Sequence, residues 1–320
     1  MKILLSVHLY VPQHGAGGER YMHNMAKYLI TQGHQVRVLL HESAVYNIKQ
    51  VYVYEGVEVF PRLRNLEEHF LWADRILTHL GYTQWTIAVA KVFRKPVFFV
   101  VHNTHVYSCV NDPHDDQQIG IIYNCQHAKD ELNYPHPSLV LPPMVDWREY
   151  DMNLDTETHP YITLVNLNEN KGGHILYKIA RAMPDKQFLA VKGGYDPQII
   201  EDVPNVRIVD NTPEIKTIYA QTRVLIMPSE YESWGMCATE AMCNGIPVVC
   251  TPTFGLKENC DNAGMFVKDR NDIQSWVKKI RQLDDKNYYL RRSKLVRQRS
   301  RQLDPQKMYE SLNNFVTNME

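Results

Sequence analysis

Two carboxylates, Glu232 and Glu240, stand eight residues apart (240 − 232 = 8) in SEYESWGMCATEAMCNGIPVV, residues 229–249, directly ahead of an apolar strand. A carboxylate accepts hydrogen bonds from a pair of neighbouring hydroxyls, so two such acids suit two polyol groups gripped separately. Ser233, Trp234, Gly235 and Met236 lie between them where a helix opens, and the backbone N–H groups there are available to polar ligand atoms. The plain alternative makes Glu232 a solvated loop acid and Glu240 a helix-surface acid.

Three further stretches offer chemistry. In VNLNENKGGHILYKIARA, residues 165–182, Lys171 precedes Gly172-Gly173 and a helix start. A cation beside a helix N-terminus neutralises a diphosphate, whose charge grows as it departs, whereas a solvated lysine would do nothing there. In PQHGAGGERYMHNMAKYL, residues 12–29, Gly15-Ala16-Gly17-Gly18 leads into a helix expected from Glu19. Glycines admit close approach of a ligand to the backbone, and the helix start suits an anion. The stretch is neither G-x-G-x-x-G, since Arg20 holds the last position, nor G-x-x-x-x-G-K-[ST]. His102 closes the apolar run of VVHNTHVY, residues 100–107, as a cleft-facing imidazole or as a structural histidine. His102, His105, His114 and Asp115 lack a standard zinc spacing, so no metal ligands are expected.

Strands and amphipathic helices alternate along the chain and place all of these stretches in loops after strands. KILLSVHLY, a helix to about Thr31, Gly33 and QVRVLL form a first βαβ unit. GVEVFP, DRILTHL, PVFFVVHN, GIIYNC and SLVLPP continue the pattern, which breaks in a polar stretch over 142–160 and restarts at YITLVNL. The fold class is α/β: two Rossmann-like doubly wound parallel-sheet domains, 1–148 and 149–303, facing a central cleft, with ligands outside the carboxyl ends of the strands.

At 320 residues, 44% apolar and 22% charged, the chain can bury two cores. A net charge of −1 gives no global attraction to nucleic acid, and no nucleic-acid partner is expected. MKILLSVHLYVPQ reads as a strand rather than a leader, and no run reaches the roughly 18 apolar residues of a membrane span, so a cytoplasmic location is expected. The basic stretch 278–302 is a solvated helical face or a peripheral contact for an anionic membrane. Six cysteines without a C-x-x-C pair read as reduced, buried thiols.

Together these motifs resemble the family 4 retaining glycosyltransferases of the GT-B fold. GAGGERYMHNMAKYLITQGHQVRVL is similar to the family's opening G-G-x-E-R helix, VLPPMVD to its entry into the second domain, and MPSEYESWGMCATEAMCNGIPVV to its E-x7-E signature. The resemblance implies that Glu232 contacts the donor sugar, Glu240 the ribose, Lys171 the diphosphate and His102 the donor sugar's surroundings. It also implies that Gly17 and Gly18 face phosphate and acceptor, that Gly255 and Glu258 of PTFGLKE line the same cleft, and that 304–320 is a helix returning to the first domain. Asn166 departs from the family, which carries an arginine five residues before the lysine. Losing that cation should weaken donor binding by about 1–3 kcal/mol unless Lys192 or Arg20 replaces it.

The implied activity moves a sugar from a nucleotide diphosphate sugar, the co-substrate, to the hydroxyl of a glycan, lipid-linked or other acceptor. It proceeds with retention, without a cofactor and without a metal, consistent with the absence of D-x-D. Donor choice would rest on loops near Asn211 and Thr212. The alternatives are a degenerate member that binds a nucleotide or a partner glycosyltransferase without turnover, a nucleotide-sugar epimerase, and a glycoside hydrolase using the two acids.

Overall fold

A computed structural model describes residues 1–62, 65–105 and 118–319, which fall into two compact units: Met1–Met144 with Pro305–Glu320, and Val145–Asp304. His114, Asp115 and Cys109 lie outside the described residues.

The first unit is an eight-stranded sheet of β1 (Lys2–Val7), β2 (Gln35–Leu40), β3 (Tyr52–Tyr54), β4 (Val57–Pro61), β5 (Arg75–His79), β6 (Val97–Val101), β7 (Ile119–Tyr123) and β8 (Ser138–Val140). The spatial order is β3-β4-β2-β1-β5-β6-β7-β8, with every pair parallel except β3–β4. The second unit is a six-stranded parallel sheet of β9 (Tyr161–Val165), β10 (Gln187–Val191), β11 (Val206–Val209), β12 (Thr222–Met227), β13 (Val248–Cys250) and β14 (Met265–Phe266), ordered β11-β10-β9-β12-β13-β14. Central strands such as VFFVV of β6 are buried at every position, because helical crossovers cover both faces of a parallel sheet.

Strand order reverses at β1, flanked by β2 and β5, and again at β9, flanked by β10 and β12. The loops leaving the two strands at such a point diverge to opposite faces and open a crevice at their carboxyl ends. His8 and His79 stand at the first reversal, Lys171 and Glu232 at the second.

Several elements depart from the sequence reading. The first helix spans Gly17–Thr31, so Gly17 and Gly18 are its opening residues rather than part of a loop. The antiparallel edge strand β3 and the two-residue β14 are additional. Residues 145–148 pack with the second unit: Arg148 pairs with Asp304 at 2.7 Å and Arg301 lies 3.6 Å from the Trp147 ring centroid. The C-terminal segment does not depart in this way: the helix Pro305–Asn318 packs in the first unit, where Tyr309 stacks on Tyr28 at 4.3 Å and Arg75 donates to the carbonyls of Val316 and Met319.

The basic stretch forms the helices Ile273–Gln282 and Lys286–Gln302. Its arginines are largely engaged within the second unit. Arg297 and Arg301 pair with Asp151, and Arg299 donates to the carbonyls of Glu258 and Asn259. Among the described residues no helix is long and apolar enough to cross a membrane. Cys125, Cys243, Cys250 and Cys260 are buried free thiols, as their apolar surroundings lead one to expect, while Cys237 is half-buried.

Candidate functional site

Lys171 and Glu232 meet at the β9–β12 reversal, Nζ to Oε1 at 2.6 Å, with side chains 18% and 9% exposed. Burial acts to lower the Lys171 pKa, but the Glu232 carboxylate, with smaller help from Tyr195 and Cys237, outweighs it and holds the ammonium charged, well above its ordinary range. Ser229 Oγ donates to the same Oε1 at 3.0 Å, so among the described residues both hydrogen bonds to the carboxylate fall on one oxygen. Tyr195, on the loop after β10, faces the pair; burial raises its pKa and the Lys171 charge opposes the shift.

Backbone zippering fixes the two loops against each other. Asn170 Nδ2 donates to the Tyr231 carbonyl, its Oδ1 accepts from Tyr231 N–H, and its own carbonyl accepts from Glu230 N–H. Gly172 has φ +81°, and a Cβ there would lie 2.8 Å from the Pro228 carbonyl; one at Gly173 would lie 2.2 Å from the Leu167 carbonyl. The glycine pair therefore lets the helix Gly173–Ala182 start directly behind Lys171. On the other side, Gly255 lies so close that a Cβ would sit 2.3–2.5 Å from backbone atoms of Glu232 and Ser233.

Glu240 is not a helix-surface acid. It is 5% exposed, and its carboxylate accepts from Tyr219 at 2.8 Å and Tyr150 at 3.4 Å. Cys237, one turn before it on the helix Met236–Cys243, has its thiol pushed up to about 12 by burial and by the charges of Glu240 and Glu232. Trp234 and Gly235 spend their carbonyls on Asn259 Nδ2, each at 3.0 Å, and Thr239 donates to Asn259 Oδ1. Sequence reading missed Asn259, Asn170, Tyr219 and Tyr150, whose amides and hydroxyls carry no motif; only distance in space reveals them.

Asn166, in the place of the expected arginine, has φ +71° and is 7% exposed. Its Oδ1 accepts from Asn168 N–H and from Gln198 Nε2, so the amide braces the loop. Lys192 is paired with Asp210 at 2.8 Å, and Arg20 donates to the Gly15 carbonyl of the first unit. Asn211 and Thr212 follow β11; Thr212 Oγ1 accepts from Glu214 N–H. Glu258 is half-buried on the helix Phe254–Cys260.

In the first unit, His102 follows β6, and its Nε2 lies 2.9 Å from His79 Nδ1. Asn124 holds the His102 carbonyl at 2.8 Å, and Gly18 lies against the ring, where a Cβ would be 3.8 Å from Nε2. Glu19, 3% exposed, lies 3.4 Å from His8 Nε2. Burial pushes the Glu19 carboxyl up to about 7, against its own backbone hydrogen bond, and takes His8 down to about 4 and His102 to about 3. His79, with no exposure, is also held well below the ordinary range by burial. At neutral pH the imidazoles here are uncharged.

Residues 154–300 match the family model for glycosyl transferases group 1. An uncharacterised glycosyltransferase of Methanocaldococcus jannaschii is 25% identical over 86% of this chain and 87% of its own. The O-antigen chain mannosyltransferase B of Escherichia coli is 39% identical over 62 residues, 19% of this chain, and the match spans only 16% of that relative's length. Among solved structures, the Anabaena HepE protein in complex with UDP-glucose superposes with a TM-score of 0.75 at 14% identity, covering 98% of each chain. The two-sheet architecture is that of GT-B glycosyltransferases.

Proposed function

We propose that this chain, a group 1 glycosyl transferase by its residues 154–300, moves a sugar from a nucleotide diphosphate sugar to an acceptor hydroxyl with retention of configuration. The observation that carries this reading is the Lys171–Glu232 pair at the β9–β12 reversal. An ammonium has three donors, and Glu232 takes one, leaving two for diphosphate oxygens. Glu232 Oε2, with no hydrogen bond among the described residues, can accept sugar hydroxyls.

The bond from the anomeric carbon to the diphosphate breaks as the acceptor oxygen bonds to that carbon on the same face. The acceptor proton passes to the departing diphosphate. Lys171 stabilises the charge that develops on that diphosphate, so no metal ion is needed to bridge it. Glu240, held by two tyrosines, keeps one carboxylate in a fixed orientation for the ribose. The UDP-glucose complex of the Anabaena neighbour supports a nucleotide sugar as the co-substrate class.

Thermal-shift titration with UDP, GDP, ADP and their sugar conjugates tests the reading. A ligand at a hundred times its dissociation constant stabilises the fold by about 2.7 kcal/mol. One nucleotide family should raise the melting temperature of the wild type and not of Lys171→Ala. A second reading, a binder without turnover, is favoured by Asn166, whose amide braces the loop where a cation is expected. A nucleotide shift without release of free nucleoside diphosphate in the presence of any acceptor would select it. No shift with any nucleotide would overturn both.

A further inference from the structure

We propose that His8, Glu19 and His79 of the first unit form a binding site for a divalent transition-metal ion, zinc foremost. Each offers one ligand atom, and the three atoms lie within 4.8 Å of one another. The His8 Nε2 to Glu19 Oε1 distance is 3.4 Å, close to the ~3.4 Å edge of a tetrahedron with bonds of about 2.1 Å.

His79 supplies the second, independent observation. It has no exposure, its Nδ1 is engaged by His102, and its Nε2 is buried with no hydrogen-bonding group among the described residues. A buried imidazole nitrogen without a partner is costly unless it receives a donor or a metal. Two imidazoles and one carboxylate are the ligand types of zinc sites that keep an open fourth position. All three ligands leave the carboxyl end of the β1–β5 reversal or the first turns of the adjoining helix, so the sheet holds them rigidly.

The His79–His102 contact has the form of an outer-shell bond. A metal-bound histidine donates its other ring N–H, which fixes its tautomer. An ion on His79 Nε2 therefore places the proton on Nδ1, and His102 Nε2 accepts it at 2.9 Å, leaving the remaining His102 proton on Nδ1. The ion orients His102 and takes no part in carrying diphosphate charge, which the second unit handles through Lys171.

The test uses the full chain freed of metal with a chelator, then dialysed against Zn²⁺ or Co²⁺ and measured for bound metal and for the visible absorption of Co²⁺. The wild type should hold one equivalent, with the intense bands of a four- or five-coordinate cobalt centre. Glu19→Gln and His8→Ala, each checked for folding by circular dichroism, should bind more than about tenfold more weakly and lose the bands. His102→Gln should weaken binding by about 10–100-fold while keeping the bands, as expected of an outer-shell residue. No metal retained by the wild type, or equal uptake by folded Glu19→Gln, would overturn the proposal and leave water as the partner of His79 Nε2. Since metal uptake needs no nucleotide, its failure is separate from failure of the transferase reading.

Discussion

The two strand-order reversals share a topology and differ in charge. At β9–β12 the crevice holds a close ion pair, Lys171 with Glu232, and hydrogen bonds clamp the flanking loops. At β1–β5 it holds uncharged imidazoles and a carboxyl raised to about 7, with ring nitrogens of His8 and His79 that have no hydrogen-bond partner among the described residues. The same backbone arrangement thus serves two chemistries. A site meant for an anion keeps a permanent cation and stabilises it with one acid, whereas a site of neutral nitrogens suits a cation or a proton.

The largest expected break in this contrast is Lys171→Ala. It should lower turnover by about 10²–10³-fold, read from initial rates, and cost about 3 kcal/mol in urea unfolding, because it strands Glu232 as a buried lone charge. Lys171→Met with Glu232→Gln should recover most of the stability and none of the turnover, separating the structural role of the pair from the catalytic one. Gly173→Ala should cost about 3 kcal/mol, since its Cβ meets the Leu167 carbonyl at 2.2 Å and the loop must shift. Asn259→Ala removes three hydrogen bonds beneath the Glu232 loop and should cost about 2 kcal/mol, with a matching fall in the urea midpoint.

Acid should find the first unit before the second. His23 and His41 are taken by burial from 6.5 to about 4 and about 3, so between those values and 6.5 the unfolded chain binds protons that the fold refuses. Their contribution is complete above pH 6.5 and declines as pH falls, by about 1.4 kcal/mol per pH unit for each histidine. Glu19 acts in the opposite sense from 4.5 to about 7, where the folded carboxyl keeps a proton, and offsets about one histidine, while His8, His79 and His102, lowered by the same burial, add to the loss. Urea midpoints in chelator from pH 7 to 4.5 should therefore fall; a flat profile would mean that the buried histidines charge inside the fold. The smallest effect belongs to Lys192→Ala, whose ammonium is already taken by an exposed Asp210. Nucleotide affinity should not change, and a loss of about tenfold would instead make Lys192 the replacement for the missing arginine.

What the sequence discloses follows from how local each feature is. Lys171 with Gly172-Gly173, and Glu232 with Glu240, sit in short strand-loop-helix contexts, so their place at a sheet edge is legible from periodicity alone. Their direct contact is not, because it depends on β9 and β12 being neighbours across more than fifty residues of chain. Asn259 and Tyr219 are invisible for the same reason: a lone amide or hydroxyl becomes a brace only when a distant backbone arrives. His8, Glu19 and His79 carry no spacing pattern, since each comes from a different element. The edge strand β3 is three residues long and partly exposed, too short to show an alternation. In the sequence Asn166 stands as a lost cation, whereas its left-handed backbone and bonds to Gln198 and Asn168 give it a positive task that composition cannot convey.

The helix Pro305–Asn318 has a bearing on how the chain is made. Tyr309 completes the packing around Tyr28, and the carbonyls of Val316 and Met319 satisfy Arg75 at the edge of β5. Synthesis runs from the N-terminus, yet the first unit lacks these pieces until the segment from Pro305 onward has been made, after the whole of the second unit. The segment Val145–Asp304 is continuous and has all of its own strands earlier. The order of completion is thus reversed relative to the usual N-terminal-first course, and the nascent first unit keeps an apolar flank uncovered while the second unit is made.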